Sequence, residues 1–248
     1  MLARPSCSSV ANVVEAGNAS DSLTYHRKVP PLIHLGNLPV VQFGEKQLVW
    51  VKHLQSGSFG DVHELRDTSN GIRYAWKRVD MAIARGMLET KASTLEADNE
   101  MHILAQLTHP NIIKLWRFWL SHHRLSLLLE MCTEDLLYRL QRDGAMDRPH
   151  GRAYMVQLLR ALAYLQKQEV AHRDVKLENL LVTASPLIHA HLKLCDFGLA
   201  RRCSRLMGCA TFIGSADYLA PEVRRCTEGR TYGFHVTFGV AVSWHMPC

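Results

Sequence analysis

The stretch "AHRDVKLENLL", residues 171–181, sets His172, Arg173, Asp174, Lys176 and Asn179 within eight positions of one another. It comes just past "RPHGRAYMVQLLRALAYLQKQ", residues 148–168, where Met155, Leu158, Leu159, Leu162 and Leu165 recur at the spacing of an amphipathic helix. Beyond it, "LKLCDFGLA", residues 192–200, carries Asp196. Both Asp residues follow a regular element and enter a loop flanked by apolar side chains. Two loop carboxylates with Asn179 offer hard oxygen ligands for a divalent cation, and Asp174 can accept a proton. Capping and turn formation account for most Asp residues in such places. They do not account for the joint order of all these groups.

Toward the N-terminus, "STLEADNEMHILAQLTHP", residues 93–110, reads as a helix opened by a capping box of Ser93 and Glu96 and closed before Pro110. Glu100 sits three, four and seven residues before Ile103, Leu104 and Leu107, so its carboxylate projects near the buried side, where an unpaired charge is costly. It needs a cation. Lys77, in "GIRYAWKRVD" (residues 71–80), is the candidate; it shares a strand face with Ala75, which sets a small apolar floor beside the charge. A lone strand Lys is otherwise a solvated edge residue. Before it, "LQSGSFGDV", residues 54–62, places Gly57 and Gly60 between two strand patterns. Absent Cβ atoms there let backbone N–H groups approach a phosphate, although any hairpin can hold two glycines. Alternating Leu48 and Trp50, then Ile72, Tyr74 and Trp76, and later Leu125, Leu127 and Leu129 mark the strands. Strands come first and helices later, an α+β order.

The 248 residues suffice for one large domain or two small ones, and 47% hydrophobic residues support a real core. The net charge of +6 is scattered, with no basic run longer than two, which favours a solvated basic surface over a nucleic-acid partner. No apolar stretch approaches the ~20 residues of a membrane span, and the first residues, with Glu15 and Asp21 and no apolar core, are not expected to be a signal peptide, a transit peptide being the alternative. Seven irregularly spaced cysteines, without CxxC or zinc spacing, favour reduced thiols in a cytoplasmic or nuclear setting. Residues 1–46, interrupted by Pro30, Pro31 and Pro39, show neither period and are expected to form a disordered leader.

In this order the motifs resemble the eukaryotic protein kinase family over about residues 48–232. The resemblance implies a two-lobe fold: a small antiparallel β lobe over 47–131 and a helical lobe over 132–248 that is incomplete. It implies ATP and Mg2+ as cofactors and a protein substrate. Gly57 and Gly60 resemble the second and third glycines of the phosphate-covering loop, with Gln55 in place of the first. Leu54, Val62, Ala75 and Leu181 would line the adenine site, Glu130 and Cys132 would form the hinge after Leu129, and Lys77, paired with Glu100, would hold the α and β phosphates. Asp174 resembles the catalytic aspartate that orients the substrate hydroxyl, Lys176 the lysine that stabilises phosphate, and Asn179 and Asp196 the metal ligands. Lys176, two after Asp174, and "GSADYLAPE" (residues 214–222) resemble serine/threonine kinases. Thr211 and Ser215 match regulatory positions, with Arg173 as anion partner, and His172, Phe197, Leu104 and Leu115 resemble members of the family's internal apolar stack.

In the family a long buried helix and several more follow Ala220–Glu222, whereas residues 223–248 are what remains here. "TFGVAVSW", residues 237–244, echoes the D-x-W-S-x-G pattern of that helix, but no acidic residue follows Glu228. The expectation is a truncated serine/threonine kinase with impaired phosphoryl transfer. A noncatalytic nucleotide-binding or decoy module, and a product that does not fold, remain as alternatives.

Overall fold

The computed structural model describes residues 12–15, 25–26, 32–35, 38–43, 46–57, 60–80, 93–120, 124–183 and 190–203. The chain forms two compact units, Met1–Ala97 with Leu115–Met131, and Asp98–Lys114 with Cys132–Cys248.

The first unit is an antiparallel sheet. Its strands are β1 (Asn12–Glu15), β2 (Tyr25–His26), β3 (Leu32–Leu35), β4 (Leu38–Phe43), β5 (Lys46–Gly57), β6 (Gly60–Asp67), β7 (Arg73–Asp80), β8 (Leu115–Leu120) and β9 (Arg124–Glu130). They lie in the order β2-β1-β8-β9-β7-β6-β5-β4-β3. Leu48, Leu65, Tyr74, Trp119 and Leu128 form a buried cluster with Trp50 and Trp76 packed against it. Strands β1 to β4 lie where the sequence reading expects a leader without regular structure. They are two to six residues long, too short to show a period, and they gain backbone hydrogen bonds by adding to the strands at either side, β4 to β5 and β1 to β8.

Strand β5 contains two irregularities: its register against β6 shifts between Trp50 and Lys52 and again between His53 and Gln55. Val51 and Leu54 are thus extra residues opposite β6. Both are among the exposed large apolar side chains.

In the second unit, α1 (Ser93–Gln106, belonging here from Asp98 on), α2 (Leu136–Asp143) and α3 (Arg148–Lys167) carry the core. Asp147 caps α3 by accepting from His150 N at 3.0 Å, and Asp135 caps α2 by accepting from Tyr138 N at 2.8 Å. The buried face of α3 is Tyr154, Leu158, Ala161, Leu162 and Leu165. Leu159, expected in that face, is 38% exposed, because it lies 100° round the helix from Leu158 and the stripe runs through Tyr154 and Ala161 instead.

Short strands β10 (Glu134–Asp135), β12 (Leu180–Val182) and β13 (Leu192–Leu194) make one small sheet, and β11 (Val170–Ala171) pairs with β14 (Arg201–Arg202). An amide network ties β13 to α3. Asn111 Nδ2 donates to Gln157 Oε1 at 2.8 Å and to Leu192 O at 3.0 Å, while Leu192 N donates to the same Gln157 oxygen at 2.9 Å. Cys132 and Cys195 are free thiols, whereas Cys203 is disulfide-bonded, so the expectation of reduced thiols does not extend to it. Among the described residues no helix is long and apolar enough to cross a membrane.

Candidate active site

Of the candidate site residues in the first unit, Val62, Ala75 and Lys77 share one sheet face, whereas Glu130, opposite Tyr74, lies on the other. Val62 lies opposite Lys77 across β6 and β7, Lys77 lies opposite Leu127 on β9, and Ala75 is opposite Leu129. Directly opposed residues in an antiparallel ladder point to the same side, so Val62, Ala75 and Lys77 lie side by side on one face of the sheet. Gln55 is opposite Val62 and joins that face. Lys77 is half-buried and Glu130, at the end of β9, is too.

Gly60 has φ +154°, and a Cβ there would stand 1.8 Å from Arg78 O, so the approach of β6 to β7 admits glycine alone.

In the second unit the segment after β11 folds around Asp174, which is buried with His172, Arg173 and Asn179. Asn179, at the end of a single 3₁₀ turn (Leu177–Asn179), directs both amide protons at Asp174, one to its backbone oxygen at 2.8 Å and one to Oδ2 at 2.9 Å. Lys176 Nζ reaches the same Oδ2 at 2.9 Å. Burial pulls the Lys176 pKa down, but the hydrogen bond and charge of Asp174, helped by Glu178 and Asp196, outweigh it and leave the ammonium's pKa raised. Lys176 is therefore a fixed positive charge at neutral pH.

His172 is fully buried and stacks edge-on against Phe197, ring centroids 4.7 Å apart. Its Nδ1 accepts from Asp174 N at 3.3 Å and its Nε2 donates to Cys195 O at 2.9 Å, which together require the neutral tautomer with the proton on Nε2. Burial, against the pull of the Cys195 carbonyl, holds its pKa below the ordinary value. The imidazole thus acts as a strut that joins the Asp174 loop to the Asp196 loop.

Asp196 follows β13 and precedes a 3₁₀ turn, Phe197–Leu199. Asp196 and Arg173 both have left-handed backbones, φ 59° and 68°. Such strain in non-glycine residues persists where surroundings over-determine it. Here Arg173 Nε donates to Leu199 O at 2.6 Å and Cys195 N donates to Asn179 O at 2.9 Å. A methyl group at Gly198 would sit 3.4 Å from Asp196 Oδ1 and 3.8 Å from Glu100 Oε2. The two carboxylates therefore flank the same glycine, and Glu100 is buried, as its place on the helix implies.

Because both Asn179 amide protons are used on Asp174, its Oδ1 is left as a hard oxygen donor. Among the described residues no group of three or more His, Cys, Asp or Glu is arranged to hold a metal. Asp196 and Asn179 are oxygen-bearing side chains on two loops that the hydrogen bond from Cys195 N to Asn179 O ties together.

Leu181, on β12, is half-buried, and Cys132 lies two residues past the end of β9. Thr211, Ser215 and the Ala220–Glu222 motif lie outside the described residues. The sequence reading did not single out Gln157 or the carbonyls of Cys195 and Leu199. A helix glutamine and two loop carbonyls carry no motif of their own, since their partners are set by the tertiary fold.

The protein-family model described as protein kinase domain matches residues 49–238. The meiosis-specific serine/threonine-protein kinase mek1 of Schizosaccharomyces pombe is 35% identical over 191 residues, 76% of this chain and 41% of the relative. Aurora kinase B of Xenopus tropicalis is 32% identical over 199 residues, covering 80% and 52%. Mitogen-activated protein kinase kinase kinase 3 of Arabidopsis thaliana is 31% identical over 198 residues, covering 79% and 30%. The chain thus spans about half or less of the length of these relatives.

Proposed function

The chain belongs to the protein kinase family, and on that premise we propose that it transfers the γ-phosphoryl group of ATP to serine or threonine hydroxyls of a protein substrate. The observation that carries the reading is the Asp174 carboxylate, held on one oxygen by both Asn179 and Lys176.

A carboxylate so fixed can accept the hydrogen bond of an incoming hydroxyl and orient it toward the phosphorus. Lys176, kept cationic, offsets charge on the phosphoryl oxygens as they separate from ADP. In the first unit Val62 and Ala75 give an apolar floor for adenine, and Lys77 gives a cation for the α and β phosphates, with Glu100 as its proposed partner. Asn179 and Asp196 would hold Mg2+, which when bound neutralises the β and γ phosphate oxygens. Leu54, Gly57, Gly60, Glu130, Cys132 and Leu181 complete the proposed nucleotide contacts. Thr211 is the proposed activating phosphosite, supported by the position of Arg173, whose side chain reaches the Leu199 carbonyl at the start of the segment that leads to it.

Calorimetric titration of ATP into the 248-residue chain tests the nucleotide site. Binding that strengthens with Mg2+, and loses that dependence in Asp196→Asn, is the expected result. Binding indifferent to Mg2+ in both proteins would overturn it.

A further inference from the structure

We propose that Ser56, Asp61 and His53 are positioning residues for nucleotide binding: a side-chain latch across the glycine hairpin that holds it in its binding shape. The inference rests on the kinase reading of that hairpin. Ser56 lies opposite Asp61, one step before the Gly57 and Gly60 pair. Its hydroxyl donates to Asp61 Oδ1 at 2.8 Å, and its oxygen is 3.0 Å from His53 Nε2. The one hydroxyl proton is committed to the carboxylate, so Ser56 Oγ accepts from His53 Nε2–H. The chain of donors runs His53 to Ser56 to Asp61, from one strand to the other.

The extra residue in β5 makes this possible. Residues 53 and 56, three apart, would point to opposite faces of a regular strand. The shift between His53 and Gln55 inserts Leu54 as a surplus residue and returns Ser56 to the face of His53, where Asp61 and His63 also lie. The Ser56 hydrogen bond is the main reason that the Asp61 carboxyl titrates below its ordinary range, so the acceptor end stays charged at neutral pH. Gln55 occupies the position where the family's loop has its first glycine, and the cross-strand latch beside it supplies order where a glycine would supply freedom. A hairpin already ordered loses less entropy when phosphates bind.

The test uses the full chain and the variants Ser56→Ala, Asp61→Ala, their double mutant and Ser56→Thr, in three measurements: Mg·ATP affinity, amide hydrogen exchange at Gly57 and Gly60, and the thermal midpoint. Ser56→Ala is expected to weaken Mg·ATP binding by about 3- to 10-fold, the range of one ordinary net hydrogen bond, and to speed exchange at the two glycines at an unchanged midpoint. The double mutant should be no worse than either single one, and Ser56→Thr, which keeps the hydroxyl, should behave like the wild type. Wild-type affinity and wild-type exchange in Ser56→Ala would overturn the latch. If the wild type binds no nucleotide, the kinase reading fails and exchange alone decides: faster in Ser56→Ala supports the latch, unchanged overturns it.

Discussion

Lys176 Nζ and Asn179 Nδ2 converge on one oxygen, Asp174 Oδ2, each at 2.9 Å. The two donors are not equivalent. Asn179 is buried and also holds the Asp174 backbone oxygen, whereas Lys176 keeps part of its side chain in water. Position is the work of the amide, and charge is the work of the lysine.

Asn179→Ala should therefore lower stability by about 1–3 kcal/mol, because the buried Asp174 loses two hydrogen bonds, one of them at its backbone oxygen. Lys176→Ala should leave the urea midpoint near that of the wild type while depressing phosphoryl transfer. Equal losses of stability in the two variants would contradict this division of roles.

Stability should fall as the solution is acidified through the histidine range. Burial depresses the pKa of His172 in the folded chain below 6.5, so the unfolded chain takes up the proton first. The stabilisation is present above the unfolded value and is lost as pH falls from there toward the folded one. His63 and His109 are depressed in the same direction, also by burial first. Denaturation midpoints at about pH 7.5 and about pH 5.5 should differ less in His172→Asn than in the wild type. An identical difference would remove His172 from the explanation.

Gly60→Ala should open the β6–β7 ladder at its start. A methyl group cannot coexist with Arg78 O at 1.8 Å, and the left-handed backbone adds strain. A loss on the order of 1–3 kcal/mol or more is expected, together with weaker ATP binding. Gly71→Ala is the comparison, since a methyl group there meets nothing within 4 Å although its φ is also positive. It should bind ATP like the wild type.

Gln157→Leu removes the shared acceptor of Asn111 Nδ2 and Leu192 N. The amide of Leu192, a residue 1% exposed, then has no replacement, at a cost of about 1–3 kcal/mol. Because β13 leads into Asp196, transfer activity should fall along with the denaturation midpoint. A variant as stable and as active as the wild type would show that the network does not position that loop.

Much of the site was legible because its residues are close in sequence or in strand register. Asp174, Lys176 and Asn179 stand within one loop, and period-two spacing alone put Ala75 and Lys77 on one face. The helical spacing of Glu100 from Ile103, Leu104 and Leu107 similarly turned it inward. Less legible was whatever depends on a register shift or on a distant carbonyl. The surplus residue Leu54 decides that His53 and Ser56 share a face, yet nothing in "HLQS" announces an extra residue. Leu159 was misplaced for a related reason: a stripe of leucines fits two adjacent helix faces, and the tertiary partner chooses between them. Strands β1 to β4 draw their order from pairing with a sheet already formed, which no local pattern reveals.

The most direct test of phosphoryl transfer is the rate at which the chain passes labelled γ-phosphate from Mg·ATP to a basic protein rich in serine and threonine, measured beside Asp174→Asn. Label should appear on serine or threonine, at a rate above that of Asp174→Asn by about 10²- to 10⁴-fold, the range expected when a hydroxyl-orienting carboxylate is lost. Transfer at the same rate in both proteins, or none above the Asp174→Asn background, would contradict the assignment of Asp174 and the reaction proposed for it.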